Sequence, residues 1–273
     1  MIYVLLIILS LIILTPVITA IMGGLKSTGE ILSAPFSFPT NPRWSNYSEI
    51  LDVGSDTRAP STFWQQLGNS GLIVLGTVSL TLVTSTLLAF VFARLVFPGR
   101  ELIFNFFTLG LLFPITVAFL PVYLQVRNLG LINNLWGIIL PLVAFAIPGS
   151  TIILRGFFRS IPGELEDASY IDGCDTLGFF RYILLPLARP ALGTVLVLQT
   201  IVAWNEYFLP LLVLNDDKKW PLTLGIMQFQ GQYGADWGKI MAFVTILIVP
   251  AVIFYLFTQR YIVTGLTGGE LKG

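Results

Sequence analysis

Ser160-Ile161-Pro162-Gly163-Glu164-Leu165-Glu166-Asp167-Ala168-Ser169-Tyr170-Ile171-Asp172-Gly173 is a short polar insert between two long apolar runs, and its place orders the rest of the chain. Pro162 suits the first turn of a helix, where its missing N–H has no bond to lose. Glu164, Glu166 and Asp167 follow at the positive end of the helix dipole. Gly173 stands where a helix end takes a left-handed residue. The stretch predicts a helix of about three turns with a fixed stop. Ile161, Leu165, Ala168 and Asp172 share one face at i, i+3, i+4 spacing, a narrow apolar stripe with acidic flanks. After the stop, Phe179, Phe180, Tyr182, Ile183, Leu184 and Leu185 lead to Pro186 and Pro190, which bend the chain into the next apolar run. From the residues alone the helix is either an interfacial connector or a docking element for another protein. A membrane-surface helix normally carries Lys or Arg on its polar face, and this one is acidic.

Outward from the insert the chain is apolar almost to both ends. A membrane-crossing helix needs about 20 mostly apolar residues, since the hydrocarbon core is about 30 Å thick and each residue rises about 1.5 Å. Six runs qualify: Ile2 to Met22, Gly71 to Ala93, Leu102 to Leu124, Trp136 to Leu154, Ala191 to Leu214 and Ile240 to Gln259. Charges, Pro, Gly or Trp bound each run. Pro16 in the first is tolerated because membrane helices can satisfy a freed carbonyl in other ways. That run is a retained span or a signal peptide; it lacks a basic leader and exceeds the usual apolar length of about 7 to 15 residues, which favours the span. The expected fold is all-α, a polytopic membrane protein with six transmembrane helices. Residues 1–23 form the first, 24–66 a periplasmic or extracellular loop, 67–262 a core of five more including the loop 155–190, and 263–273 a cytoplasmic tail.

Composition agrees. Hydrophobic residues make up 55% of the 273 and charged residues 11%, with a mean hydropathy of +0.83; a soluble domain carries about a quarter charged residues. Fifteen basic and fifteen acidic residues cancel, so no global charge points to nucleic acid. Cys174 is the single cysteine and histidine is absent, which removes disulfides, thiolate metal cages and the commonest general base. An intramembrane protease would need such groups. The single Gly-Lys pair, Gly238-Lys239, lacks the rest of a phosphate-binding loop, so ATP is handled elsewhere. A secondary transporter would show inverted repeats, which these halves do not show clearly; a purely structural membrane subunit stays open.

Six spans put both termini on one side. Arg94, Arg100, Arg155, Arg159, Arg181, Arg189, Arg260 and Lys272 then share a side, against Lys26, Arg43, Arg58, Arg127, Lys218, Lys219 and Lys239. Eight against seven favours cytoplasmic termini mainly because the first set hugs the helix ends. The segment Gly23 to Gln66, with Pro35, Pro39, Pro42, Pro60, Trp44, Tyr47 and Trp64, predicts an irregular loop at the interface. Trp204, Asn205 and Glu206 fall in the fifth run. A charge there costs about 2.5–3.5 kcal/mol, so Glu206 marks either the pathway or gate, or an interhelical hydrogen bond. Between the fifth and sixth runs, Gly231 and Gly234 would let the outer segment Gly225 to Trp237 bend tightly.

The insert resembles the EAA loop of ATP-binding-cassette importer permeases: E-A-A, three residues, G, nine residues, I-x-L-P. Here Asp167, Ala168 and Ser169 precede Gly173 at that interval, and Ile183, Leu185 and Pro186 follow at the next. Asp replaces Glu and Ser the second Ala. The likeness extends along the chain to the MalG-like subunit of carbohydrate importers through Phe97-Pro98-Gly99-Arg100, Ala203-Trp204-Asn205-Glu206, Gly231-Gln232-Tyr233-Gly234-Ala235-Asp236-Trp237-Gly238 and the tail from Gln259-Arg260-Tyr261 through Gly265-Leu266-Thr267-Gly268-Gly269 to Lys272-Gly273. It departs at the N-terminus, where the family has a basic stretch before the first span.

The resemblance implies a type I ABC importer permease in a bacterial inner membrane. It implies a sugar-class solute (oligosaccharide, glycerol-phosphate or polyol), a second, MalF-like permease, two copies of an ABC ATPase subunit and an extracytoplasmic solute-binding protein. No cofactor is expected in this chain, ATP and Mg being bound by the ATPase. The coupling loop would comprise Glu164, Glu166, Asp167, Ala168, Ser169, Asp172, Gly173, Ile183, Leu185 and Pro186. Trp204, Asn205 and Glu206 would lie near the path or gate, and Gln230, Gly231, Gln232, Tyr233 and Gly234 would meet the binding protein.

Overall fold

The computed structural model describes residues 2–52, 62–231 and 234–267, with side chains as far as 259. Arg58, Pro60, Gln232, Tyr233 and the tail residues Gly268, Gly269, Lys272 and Gly273 lie outside the described residues. In chain order the elements are α1 (Ile2–Gly24), α2 (Thr28–Ser33), α3 (Ser45–Leu51), α4 (Phe63–Arg94), α5 (Arg100–Thr108), a 3-10 turn (Leu109–Leu112), α6 (Ile115–Asn128), α7 (Trp136–Ser160) and α8 (Gly163–Ile171). There follow α9 (Thr176–Gly178), a π-helical stretch (Phe179–Leu184), α10 (Leu185–Leu187), α11 (Arg189–Trp204), α12 (Phe208–Val213), α13 (Leu222–Gly225), the strands β1 (Gln230–Gly231) and β2 (Gly234–Ala235), and α14 (Trp237–Thr267). Among the described residues, α1, α4, α7 and α14 are each long and apolar enough to cross a membrane unbroken, and two bent helix pairs raise the number to six.

Those bent pairs correct two expected spans. The third is not one rod: Arg100–Leu112 and Ile115–Asn128 meet at 99°. Phe113 is extended (φ −86, ψ 112) ahead of Pro114, as the Pro ring disfavours helical backbone in the residue before it. The fifth is the bent pair Thr176–Leu187 and Arg189–Trp204, which meet at 71°, and it stops at Trp204, not Leu214. Pro210 has no N–H for the carbonyl of Glu206 and its ring crowds that carbonyl, so the helix breaks and restarts as α12. The segment after α1 also proves less irregular than expected. Ser27 and Glu30 form a reciprocal capping box that starts α2, satisfying two helix-end donors at once.

Contacts divide the chain into two compact units. In Gly71–Asn215, Gly76 meets Ile139, Ser85 donates to the Ile147 carbonyl and Arg94 reaches Phe158. Successive contacts advance together, so α4 and α7 run parallel. A parallel pair requires the chain between to cross back, which α5 and α6 do. Gln199 donates to Ser150 while the Asn133 N–H donates to the Val213 carbonyl, so α11 and α12 run antiparallel to α7. Small residues let these helices close up: a Cβ on Gly137 would stand 2.5 Å from the Leu131 carbonyl and 3.0 Å from Val213.

In the unit of Met1–Ser70 and Asp216–Phe254, a fully buried Lys26 gathers the loop by donating to the carbonyls of Ala34 and Pro35 and to Ser37. Asn46 donates to the Gly24 and Lys26 carbonyls. Ser70 accepts from the Leu222 N–H, and the rings of Phe63 and Phe229 both pack on Phe243.

Candidate functional site

The insert folds into the predicted helix, and its ends have physical causes. Ile161 and Pro162 are extended and turn the chain out of α7. At the far end the Cys174 N–H donates to the Ser169 carbonyl and the Gly173 N–H to that of Tyr170, the paired bonds of a Schellman stop. Gly173 has φ +87 and nothing within 4 Å of where a Cβ would sit. The glycine therefore serves backbone conformation and not close packing.

The face of α8 that turns inward is the one that carries Ser169 and Glu166. Ser169 is buried, its hydroxyl donating to the Glu166 carbonyl, and the Glu166 side chain is mostly covered. Of the expected stripe, Ile161 is buried in the turn before the helix, whereas Leu165, Ala168 and Asp172 are exposed. The outward face centres on Glu164, Ala168 and Ile171 and is flanked by Asp167 and Asp172, all exposed, Ile171 to 86%. The helical period of about 100° per residue puts Glu166 and Asp167 on different faces.

Sequence reasoning counted Arg94 only as a loop charge; it is the centre of this site. One guanidinium nitrogen donates to the Phe158 and Ile161 carbonyls at 2.6 and 2.7 Å, and the other pairs with Glu166 at 3.3 Å. The second Glu166 oxygen accepts from the Tyr170 hydroxyl at 3.1 Å. The available signal was position: an Arg ending an apolar run, with an acid in a later loop on the same side. Arg155 is equally placed on α7, with its Nε donating to the Phe92 carbonyl, two short contacts to Glu101 and its guanidinium 3.7 Å from the Phe104 ring centre. Arg100 and Arg159 also lie within ion-pair reach of Glu101.

Beneath α8 lies an apolar cluster that includes Ala89, Leu154, Phe158, Phe179, Phe180, Leu184 and Val195, with Ile183 and Leu185 partly buried against it. Pro186 is exposed. The π-helical stretch over 179–184 widens the helix there, a feature frequent at functional sites, and the chain then bends by 71° into α11.

The other candidates belong to other segments of the chain. Glu206 is not within a helix: it occupies the break after Asn205, and its carboxylate accepts from the Leu209 N–H at 3.0 Å. Asn205 donates to the Ile201 carbonyl, Trp204 is half-buried, and these residues finish α11 and start α12. Gln230 and Gly231 pair with Ala235 and Gly234 in two short antiparallel strands; Gln232 and Tyr233 are outside the described residues. No group of acidic, Cys or His side chains with metal-site spacing occurs among the described residues.

The family described as the binding-protein-dependent transport system inner membrane component matches residues 82–268. The diacetylchitobiose uptake system permease protein NgcG of Streptomyces coelicolor is 35% identical over 270 residues, covering 98% of this chain and 87% of that protein. The arabinooligosaccharides transport system permease protein AraQ of Bacillus subtilis is 30% identical over 97% of this chain and 92% of its own. Among solved structures, a bacterial ABC transporter involved in import of the acidic polysaccharide alginate superposes with a TM-score of 0.79 at 25% identity, covering 95% of this chain and 94% of that one. The chain belongs to the binding-protein-dependent transport inner-membrane family; it is a membrane permease and not an enzyme.

Proposed function

We propose that this permease is one transmembrane subunit of an ATP-driven, binding-protein-dependent importer of a carbohydrate, and that α8 is the element on which a separate ATPase subunit acts. The observation that carries the reading is the division of α8: an inner face tied down by Arg94, and an outward face of Glu164, Asp167, Ala168, Ile171 and Asp172 left to solvent. An apolar centre with acidic flanks fits a protein cleft lined with basic residues. Relatives that carry diacetylchitobiose and arabinooligosaccharides support a sugar-class cargo.

Orientation follows from grouping charges by helix ends. Between Gly71 and Asn215, Arg94, Arg100, Arg155, Arg159, Arg181 and Arg189 all lie at the α8 end, against Arg127 alone at the other. Basic residues collect on the cytoplasmic side, so α8 faces the cytoplasm and both termini lie there with it. The strands β1 and β2 then face outward, where a solute-binding protein would meet them, and Trp204, Asn205 and Glu206 approach the outer end of the path. A second permease completes the pathway; ATP and Mg belong to the two ATPase copies.

The test is to purify the assembled complex, measure sugar-stimulated ATP hydrolysis and uptake in vesicles, and repeat both with Ile171→Glu. The wild type should bring an ATPase and a second permease with it, and the variant should keep the permease and shed the ATPase. Uptake by this chain alone without nucleotide would end the reading.

A further inference from the structure

We propose that Arg94 is a positioning residue that ties α8 to two spans at once, so that a push on α8 moves α4 and α7 together; this rests on the coupling role of α8 argued above. The joint between α7 and α8 is short and extended, Ile161 at φ −72, ψ 128 and Pro162 at φ −56, ψ 139. A nine-residue helix held only there would pivot when pushed.

Arg94 supplies the second attachment. It extends from the last residue of α4, and its side chain is only 10% exposed. One nitrogen holds the Phe158 and Ile161 carbonyls on the near side of the joint; the other holds Glu166 on the far side. Those carbonyls close the negative end of α7, which favours a cation there. Glu166 cannot swing away freely, because Tyr170 holds its other oxygen and Phe179 lies beneath the guanidinium at 5.8 Å. The rigid planar fork is what spans three partners; a lysine ammonium would meet them as a single point.

The experiment uses the whole complex with its binding protein in vesicles, comparing wild type with Glu166→Gln and Arg94→Lys. Three quantities are read: ATPase subunit retained, ATP hydrolysed, and solute moved per ATP. Both variants should retain the ATPase and continue to hydrolyse ATP, while solute moved per ATP falls about tenfold or more; Glu166→Asp should recover part of it. Solute per ATP within twofold of wild type in both variants would overturn the proposal. So would loss of the ATPase from Glu166→Gln, which would make Glu166 a docking residue. A wild-type complex that carries no ATPase would instead remove the importer reading itself, and this proposal with it.

Discussion

Replacing Gly173 tests whether α8 works through its stop. Its φ of +87 lies where side-chain-bearing residues are disfavoured, and left-handed backbone costs an L-residue about 1–2 kcal/mol. Because nothing lies within 4 Å of the missing Cβ, no packing penalty adds to this figure. One to two kcal/mol is about a 5- to 30-fold change in an equilibrium. Gly173→Asn should be the mildest change, since Asn enters this region most readily; Gly173→Ala should take the full backbone cost, and the β-branched Gly173→Val more. Gly173→Asp should insert normally, and the geometry gives it a graded loss of uptake. Its backbone resembles Asn, but it adds a charge at the negative end of α8, about 0.3–1 kcal/mol unfavourable, which places it near Ala. The assay is vesicle uptake normalised to inserted protein, with hydrogen exchange read at the Gly173 and Cys174 amides that close the stop. Equal uptake by the Asn, Ala and Val variants would refute the argument. So would losses that merely follow the amount of protein inserted.

Two packing sites and one pH effect complete the predictions. Gly137→Ala should lower the melting temperature of the purified protein by the equivalent of about 1–3 kcal/mol, since its Cβ meets the Leu131 carbonyl at 2.5 Å; Gly156→Ala, also inside α7 but with nothing within 4 Å, should raise it slightly, as alanine is favoured over glycine in a helix interior by about 0.5–1 kcal/mol. Lys26→Met should remove the donor that ties the Ala34 and Pro35 carbonyls and Ser37 together, at about 0.5–1.5 kcal/mol for each bond lost because these acceptors are exposed and Ala34 keeps Ser37 as a donor, and limited proteolysis should then cut faster between 25 and 46. The Glu30 carboxyl is held below its ordinary value of 4.5, first by the Ser27 N–H, then by the hydroxyls of Thr40 and Ser27. A folded-state pKa that is lowered gives stability present above the ordinary value and lost as pH falls through the lowered one. Fraying of α2 should therefore set in below pH 4.5, seen as faster amide exchange, and Glu30→Gln should remove that pH dependence.

What could be read in advance were features set by local rules. Apolar runs located the four unbroken candidate spans and the regions of the two bent pairs, because hydrocarbon thickness fixes helix length. Pro162, the acids and Gly173 located α8, because helix ends have unpaired backbone groups to satisfy. Breaks inside runs were missed although Pro114 and Pro210 were visible, since a membrane helix can also absorb a proline, as α1 does at Pro16. The Ser27-Thr28-Gly29-Glu30 capping box is a local signal of the same kind, set in a segment whose prolines point to an irregular loop. Lys26 gave no local signal, since its partners come from the turn eight to eleven residues on.

The candidate site shows the limit most sharply in two neighbouring acids. Spacing placed Glu166 and Asp167 together in the coupling loop, and in the structure one helical step sends one to Arg94 and the other to solvent. Nothing within the loop decides this. The inward face is chosen by where Arg94 arrives, and that depends on α4 and α7 running parallel so that both end beside the start of α8. The small residues that let them do so, Gly76 against Ile139 and Ser85 against the Ile147 carbonyl, lie far from α8 in the chain. The orientation of α8 is therefore set by where α4 and α7 end, and on the proposed coupling role substitutions along the α4–α7 seam should lower solute moved per ATP with α8 itself unchanged.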